Sequence, residues 1–159
     1  MSTRTGIGYD VHPYAEGRPF VLGGVEIPHH QGLQGHSDAD VLSHAIADAI
    51  LGALGEPDIG HWFPPSDPNI AGISSLKILE KVASIAAAKG AIIENVDSTV
   101  IAEAPKVNPH RDAMKAKIAV ALGITADRVG VKATTNERLG FVGREEGVAA
   151  MAVACLTIR

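Results

Sequence analysis

Cysteine and aromatic residues are scarce in this sequence. Of 159 residues only one is cysteine, and Phe, Trp and Tyr together make up 4%. A single thiol, Cys155, excludes an internal disulfide framework and any zinc site closed by several cysteines, and its apolar surroundings fit a buried thiol in a reducing compartment. With so few rings, the core must be built from Ala, Val, Ile and Leu, which a hydrophobic fraction of 46% supplies. Basic residues are outnumbered too: 14 Lys and Arg against 18 Asp and Glu give a net charge of -4 with no cationic cluster. That balance excludes a broad surface for nucleic acid, so any phosphate binding is local. No apolar run approaches the length that spans a bilayer, and "MSTRT" is too short for a secretory leader. The expectation is a cytoplasmic protein of one domain, residues 1–159, with no nucleic-acid or membrane partner.

What is present alternates between two periodicities. "TGIGYDVH" and "FVLGGVEIP" read as strands, the second folded into a hairpin at Gly23 and Gly24. A helix is predicted from Ser37 or Asp38, either of which can cap its free amides, with apolar residues recurring at Val41, Leu42, Ala45, Ile46, Ala49 and Ile50. Its end falls near Gly52 to Gly55. The Pro-, Gly- and Asp-rich stretch "GEPDIGHWFPPSDPNIAG" reads as a long loop, and loops of that length in compact domains tend to be lids or binding loops. A second helix follows over "SSLKILEKVASIAAAK", ended by Gly90. "AIIENVDSTVIAE" reads as a strand, and Asn108 with Pro109 opens a third helix that stops before Gly123. "DRVGVKATT" and "GVAAMAVACLTI" are two further strands, the second Ala-rich enough that a helix stays open. The order predicts an α+β domain, a mixed sheet with helices packed on one face.

Within the first helix Asp40, His44 and Asp48 stand four apart and share a face. The ordinary explanation is a solvated stripe, weakened here by the "GHSD" just before it, which adds another imidazole and more carboxylate. Asp10 and His12 alternate onto one side of the first strand, so both can reach an ion above the sheet. His44, from a helix packed on that sheet, would complete an Asp/His/His set. Three N/O ligands with an open fourth position describe a catalytic zinc site. Asp-x-His alone is a weak signal, and taken alone a polar strand end explains it better. Ser37 and Asp38 read first as helix caps, although a helix N-terminus beside His36 also suits a phosphate oxygen. Thr134 and Thr135 follow a strand and precede Glu137 and Arg144, an arrangement that matters only if a diphosphate and Mg²⁺ lie nearby. Neither a Walker A sequence nor G-x-G-x-x-G is present.

Taken in order, "GYDVHPY", "LGGVEIP", "GHSDADVLSHAIADAILGA", "DIGHWFPPSDP", "NVDSTVIAEAPKVNPH" and "VKATTNERLGFVGREEG" run nearly end to end. With these motifs the chain resembles the 2-C-methyl-D-erythritol 2,4-cyclodiphosphate synthase family of the non-mevalonate isoprenoid pathway. The resemblance implies a homotrimer of α+β subunits with active sites in clefts between neighbours. It implies zinc on Asp10, His12 and His44, and a second cation, magnesium or manganese, on Glu137. His36 and Thr135 match positions that stabilise the transition state, and Ser37 accompanies His36. Asp58, Ile59, Gly60, Phe63 and Asp67 match substrate-contacting positions. Ala102, Ala104, Pro105, Lys106, Val107, Asn108, Ala133 and Thr134 match the cytidine and phosphate pocket. Phe141 and Arg144 match further ligand contacts, and together with Glu146 they fall where the trimer can enclose a central cavity for isoprenoid diphosphates.

The implied reaction is attack of the substrate's own 2-phosphate on the β-phosphorus of a cytidyl diphosphate, expelling CMP. It needs no protein nucleophile, in keeping with the absence of any recognisable Ser-His-Asp or Cys-His set. Two other classes are distinguishable from it. A zinc-dependent phosphohydrolase would give linear products, and a non-catalytic isoprenoid-diphosphate binding module would keep Phe141 and Arg144 but need no zinc.

Overall fold

A computed structural model describes residues 1–159. The first strand, β1 (Ser2–Ala15), is longer than the apolar pattern alone indicates, and it is followed by a short hairpin, β2 (Phe20–Leu22) and β3 (Val25–Ile27), turning at Gly23 and Gly24. After β4 (Gly32–Leu33) comes α1 (Val41–Ala53), then the one-turn helix α2 (Ile59–Trp62) and the helix α3 (Ser75–Ala88). The second half runs β5 (Ala91–Ile101), α4 (Arg111–Leu122), β6 (Val129–Thr134), the short α5 (Gly140–Gly143) and β7 (Gly147–Ile158). The five-stranded sheet has the order β4-β1-β7-β5-β6, with β5 and β6 parallel and the other pairs antiparallel. Its last segment in sequence, Ala-rich β7, is a strand with β1 on one side and β5 on the other. No helix is long and apolar enough to cross a membrane.

The longer helices pack on one face of the sheet, as the pattern predicts. At the centre lies α1, buried nearly all round, against β1 and β7 below and α3 beside it. Its approach to β1 is closer than side chains permit. A Cβ at Gly8 would lie 1.9 Å from the Ala45 carbonyl oxygen, and one at Gly6 would lie 2.0 Å from that of Ala49. Strand and helix run antiparallel, and two strand residues advance about 6.6 Å while four helical residues advance about 6 Å. Successive inward positions of β1 therefore face successive turns of α1, and the next two, Asp10 and His12, come to its N-terminal end.

Three predicted boundaries are corrected. The cap of α1 is Asp40, not Ser37 or Asp38: its carboxylate accepts from the Ser43 amide at 3.0 Å and the Ser43 hydroxyl at 2.8 Å. It also accepts from the amides of Gly23 and Gly24 at 2.9 and 2.8 Å, tying the hairpin to the helix. Ala39 has a positive φ of 59°, which keeps the chain out of the helix until after Asp40. The pair Asn108 and Pro109 opens a 3₁₀ turn, and the α-helix begins at Arg111. The stretch read as one long loop carries α2 and a 3₁₀ turn at Pro68–Ile70. In β5, an extra residue at Glu94 lets Ile93 and Val96, three apart, both face the core.

The opposite face of the sheet is open and apolar. Ile7, Tyr9 and Val11 of β1 stand beside Met151 and Val153 of β7, with Ile7 68% exposed.

Gly8→Ala is expected to cost about 3 kcal/mol, the upper end of overpacking effects, because the obstacle is helix backbone. A fall in the urea midpoint checks it, and an unchanged midpoint contradicts the close approach as a constraint.

Candidate metal centre and adjoining pocket

Because β1 and α1 meet through Gly6 and Gly8, Asp10, His12 and His44 converge. Asp10 Oδ2 lies 2.8 Å from His12 Nε2 and 3.0 Å from His44 Nδ1, and the two imidazole nitrogens are 3.2 Å apart. All three donor atoms fall within 4.8 Å of one another. His44 is buried, whereas Asp10 and His12 are partly exposed. The solvated-stripe reading of the helix therefore fails: Asp40 and His44 are buried and Asp48 is half-buried, accepting the Ile59 amide at 2.9 Å.

The electrostatics suit a cation. Burial alone would raise the Asp10 carboxyl, but hydrogen bonds and charge from His12 and His44 outweigh it and hold the group at about 2. Burial would lower His44, and the hydrogen bond and charge of Asp10, with Asp40 and Asp38 behind it, raise it instead. The Nδ1–H of His12 donates to the Gln34 carbonyl at 2.9 Å, so Nε2 is the nitrogen that faces Asp10 and His44 and is bare when the ring is neutral. One carboxylate and two imidazoles around a common point are a donor set that fits zinc or a similar divalent ion, with room for a further ligand.

The triad opens into a cavity of about 250 Å³, walled by Ile59, Phe63, Ile70 and Ile73 and edged by His36 and Ser37. Gly60 lines the same cavity, while Asp58 and Asp67 cap the two turns of the 57–72 segment through the amides of His61 and Asn69. The segment is tied down by the Ile59 bond to Asp48 and by the Gly72 amide, which donates to the His36 carbonyl at 2.9 Å. Arg18 holds the other side of the rim, donating to the carbonyls of Gly35 and Ser37 at 3.1 and 2.9 Å.

Thr135 and Glu137 are not brought to the triad within one chain. They line a separate, fully polar pocket of about 470 Å³ with Glu103, Arg138, Arg144 and Glu145, and no residue lines both cavities. Glu103 fixes this pocket: its carboxylate accepts from the amides of Asn136 at 3.1 Å and Arg138 at 2.6 Å, while Glu137 and Arg138 adopt positive φ. Ala102 pairs with the end of β6 through the Thr134 carbonyl at 3.0 Å. Ala104 and Pro105, joined by a cis peptide bond, and then Lys106, Val107 and Asn108 carry the chain on towards α4. Ala133 and Thr134 are exposed at the β6 end. Phe141 lies on α5, exposed, and the Arg144 guanidinium pairs with Glu146. Tyr14 of β1 reaches the 102–108 segment, its hydroxyl donating to the Ala104 carbonyl. Burial first, and then the charge of Glu145, push that phenol up to about 12.

Several supporting residues lie beyond sequence reasoning: Gln34 acts through its backbone carbonyl, and Asp48, Glu103 and Tyr14 act across long separations. The signal that could find one such feature is "GIG", whose glycines alternate onto the same side as Asp10 and His12.

The fold and the triad define an α+β protein with a candidate cation site on the helix-covered side of its sheet. Residues 3–157 match the model of the YgbB family. The chain is 58% identical over 157 residues to the 2-C-methyl-D-erythritol 2,4-cyclodiphosphate synthase of Akkermansia muciniphila, covering 98% of this chain and 93% of that protein. It is 56% identical over 156 residues to the synthase of Acaryochloris marina, with 98% and 97% covered. Among solved structures, Plasmodium falciparum IspF in a CDP complex matches with a TM-score of 0.86 at 34% identity, over 99% of this chain and 97% of that one. The bifunctional IspDF of Campylobacter jejuni matches with a TM-score of 0.95 at 40% identity, over 99% of this chain but 43% of that longer one. The chain belongs to the YgbB family.

Replacing His12 with Ala removes a candidate nitrogen ligand while leaving the helix packing intact. It should weaken Co²⁺ or Zn²⁺ binding by more than about 100-fold, since loss of an outer-shell partner alone costs 10–100-fold. Competition with a chromophoric chelator measures this, and unchanged affinity would remove the triad as a metal centre.

Proposed function

We propose that residues 1–159 form a single synthase domain that converts 4-diphosphocytidyl-2-C-methyl-D-erythritol 2-phosphate to 2-C-methyl-D-erythritol 2,4-cyclodiphosphate and CMP. The observation that carries this is the convergence of Asp10, His12 and His44 in a chain matched almost end to end by synthases of that name. An oxygen of the 2-phosphate attacks the β-phosphorus, the bond from that phosphorus to the bridging oxygen breaks, and CMP departs with the electron pair. No water is consumed, and no protein group is acylated or phosphorylated. Catalysis of this kind rests on positioning and on neutralising charge.

Divalent cations, zinc on the triad and magnesium or manganese on Glu137, would supply Lewis-acid polarisation and charge compensation at the diphosphate. The protein's own groups do the rest. His36, exposed at the cavity rim, is placed to donate to a phosphate oxygen that gains charge, and Ser37 shapes the same rim. The apolar wall of Ile59, Phe63, Ile70 and Ile73 keeps water from the β-phosphorus, where hydrolysis would compete with ring closure. In the second pocket the Thr135 hydroxyl accepts the Glu137 amide at 3.3 Å, holding carboxylate and hydroxyl side by side for a diphosphate. Asp58, Gly60 and Asp67 would contact the sugar portion, and the 102–108 segment with Ala133 and Thr134 would receive the cytidine.

Since the triad cavity and the Thr135 pocket are separate on one chain, a complete site would form between neighbours in a homotrimer. The open apolar face of β1 and β7 supports such assembly. Phe141, Arg144 and Glu146 would border a central cavity for an isoprenoid diphosphate. With CDP in solved relatives, the cytidine diphosphate part of the substrate is the best-supported ligand. We place the activity in the cytoplasm.

Phosphorus NMR with the cytidyl diphosphate substrate, Zn²⁺ and Mg²⁺ should show CMP and a cyclic diphosphate, both abolished by chelator. Linear phosphates beside CMP would mark a hydrolase instead, and no turnover would favour the binding module. His36→Ala should lower kcat by about 10²–10³, the range for loss of one preorganised donor. For assembly, sedimentation should give three chains for the parent and a monomer for Val153→Asp. A parent that is monomeric and fully active would contradict the shared cleft.

A further inference from the structure

Ser75 is the first residue of α3, fully buried, and lies 31 positions downstream of His44 in the sequence. Its hydroxyl oxygen sits 2.8 Å from His44 Nε2, the ring nitrogen facing away from Asp10 and His12. The same hydroxyl meets Asp38 Oδ1, and the Ser75 amide donates to Asp38 Oδ2 at 2.9 Å. Asp38 Oδ1 also accepts the Asp40 amide at 3.1 Å. Asp38 thus satisfies an orphan amide of α3, whose N-cap residue Ser74 makes no side-chain cap of its own.

Proton bookkeeping along this chain has one consistent solution. A carboxylate is an acceptor only, so the hydroxyl hydrogen of Ser75 points to Asp38. The serine oxygen is left with lone pairs towards His44, and Nε2 must be the nitrogen that carries the proton. In the neutral ring Nδ1 is then bare, and it is the atom lying 3.0 Å from Asp10 Oδ2 and 3.2 Å from His12 Nε2. Ser37 Oγ, 3.2 Å from Nε2, accepts the Ala39 amide and offers a second, longer acceptor on the same side. His12 reaches the equivalent state through a backbone carbonyl, so in their neutral forms both imidazoles turn unprotonated nitrogens towards one point.

We propose that Asp38 and Ser75 are positioning residues for the metal centre: the Asp38–Ser75–His44 relay fixes the His44 tautomer and aims Nδ1 at the ion. The inference rests on the reading of the triad as a metal site and deepens it. It also accounts for an acidic residue two positions ahead of the α1 cap that neither caps that helix nor lines the cavity. A ring free to exchange tautomers would spend part of its time with a proton where the cation belongs, weakening binding without removing a ligand.

The test uses the full-length protein and Co²⁺ or Zn²⁺ alone, with no substrate. In the zinc-loaded parent, ¹⁵N-resolved NMR should place metal on Nδ1 of His44 and a slowly exchanging proton on Nε2. Ser75→Ala removes the acceptor, and Asp38→Asn releases the serine hydrogen to turn towards Nε2. Each should weaken Co²⁺ binding about 10–100-fold and speed exchange of that imidazole proton, with native circular dichroism. Either variant, folded and binding Co²⁺ within about twofold of the parent, would overturn the relay, as would metal on Nε2 of His44. If Ser75→Ala does not fold, Asp38→Asn and the parent spectrum decide the matter. A parent that binds neither ion would instead refute the metal reading itself, a result separable from any difference between parent and variants.

Discussion

The close approach of α1 to β1 is the constraint on which the rest of the structure depends. Gly6 and Gly8 have no Cβ to hold the helix off, so backbone meets backbone where Ala45 and Ala49 pass over the strand. From that contact the two periodicities stay in step for one more repeat, which carries Asp10 and His12 to the turn of α1 that presents His44. A helix held off the strand by ordinary side chains would leave the imidazole short of the carboxylate. The small core residues belong to the same solution, since α1 is largely Ala, Val, Leu and Ile and is buried nearly all round.

Around the N-terminus of α1 the fold gathers Asp38, Asp40 and, from β1, Asp10, and gives each its own polar partners. Asp40, fully buried, takes four hydrogen bonds from Ser43 and the Gly23–Gly24 turn. Burial pushes its carboxyl upward, with the charge of Asp38 adding to that, and the Ser43 and Gly23 hydrogen bonds oppose the rise. Asp38 serves Ser75 and Asp10 serves the two histidines. Three carboxylates brought together by the fold thus meet three different sets of partners, and only Asp40 caps α1. The second pocket follows the same logic with Glu103, whose two oxygens hold the loop bearing Glu137.

Much of this was legible in the residues. Alternation in "GIGYDVH" puts Asp10 and His12 on one side, the Gly23–Gly24 turn announces its hairpin, and the apolar repeat marks the middle of α1. The start of α1 was not legible, because Ser37, Asp38 and Asp40 are all good caps and only tertiary structure assigns them. Ser37 bonds the Ala39 amide and Asp38 reaches α3, which leaves Asp40 to the helix. The bulge at Glu94 leaves no local signature, since its cause is the need to bring Ile93 and Val96 to the same core. The turns within 57–72 depend on Asp58 and Asp67 caps and on Asp48, a residue from another element. Glu137 shows the limit most clearly: its place near phosphate comes from family resemblance, and within one chain it lies apart from the triad.

The most direct test of the central claim, that packing of α1 on β1 builds a metal centre from Asp10, His12 and His44, is X-ray absorption at the zinc edge of the loaded protein. The account predicts one zinc per chain with only nitrogen and oxygen neighbours at about 2.0–2.2 Å, two of them imidazoles, and loss of the imidazole signature in His12→Ala. A sulfur scatterer from Cys155, or zinc bound without imidazole, would contradict it.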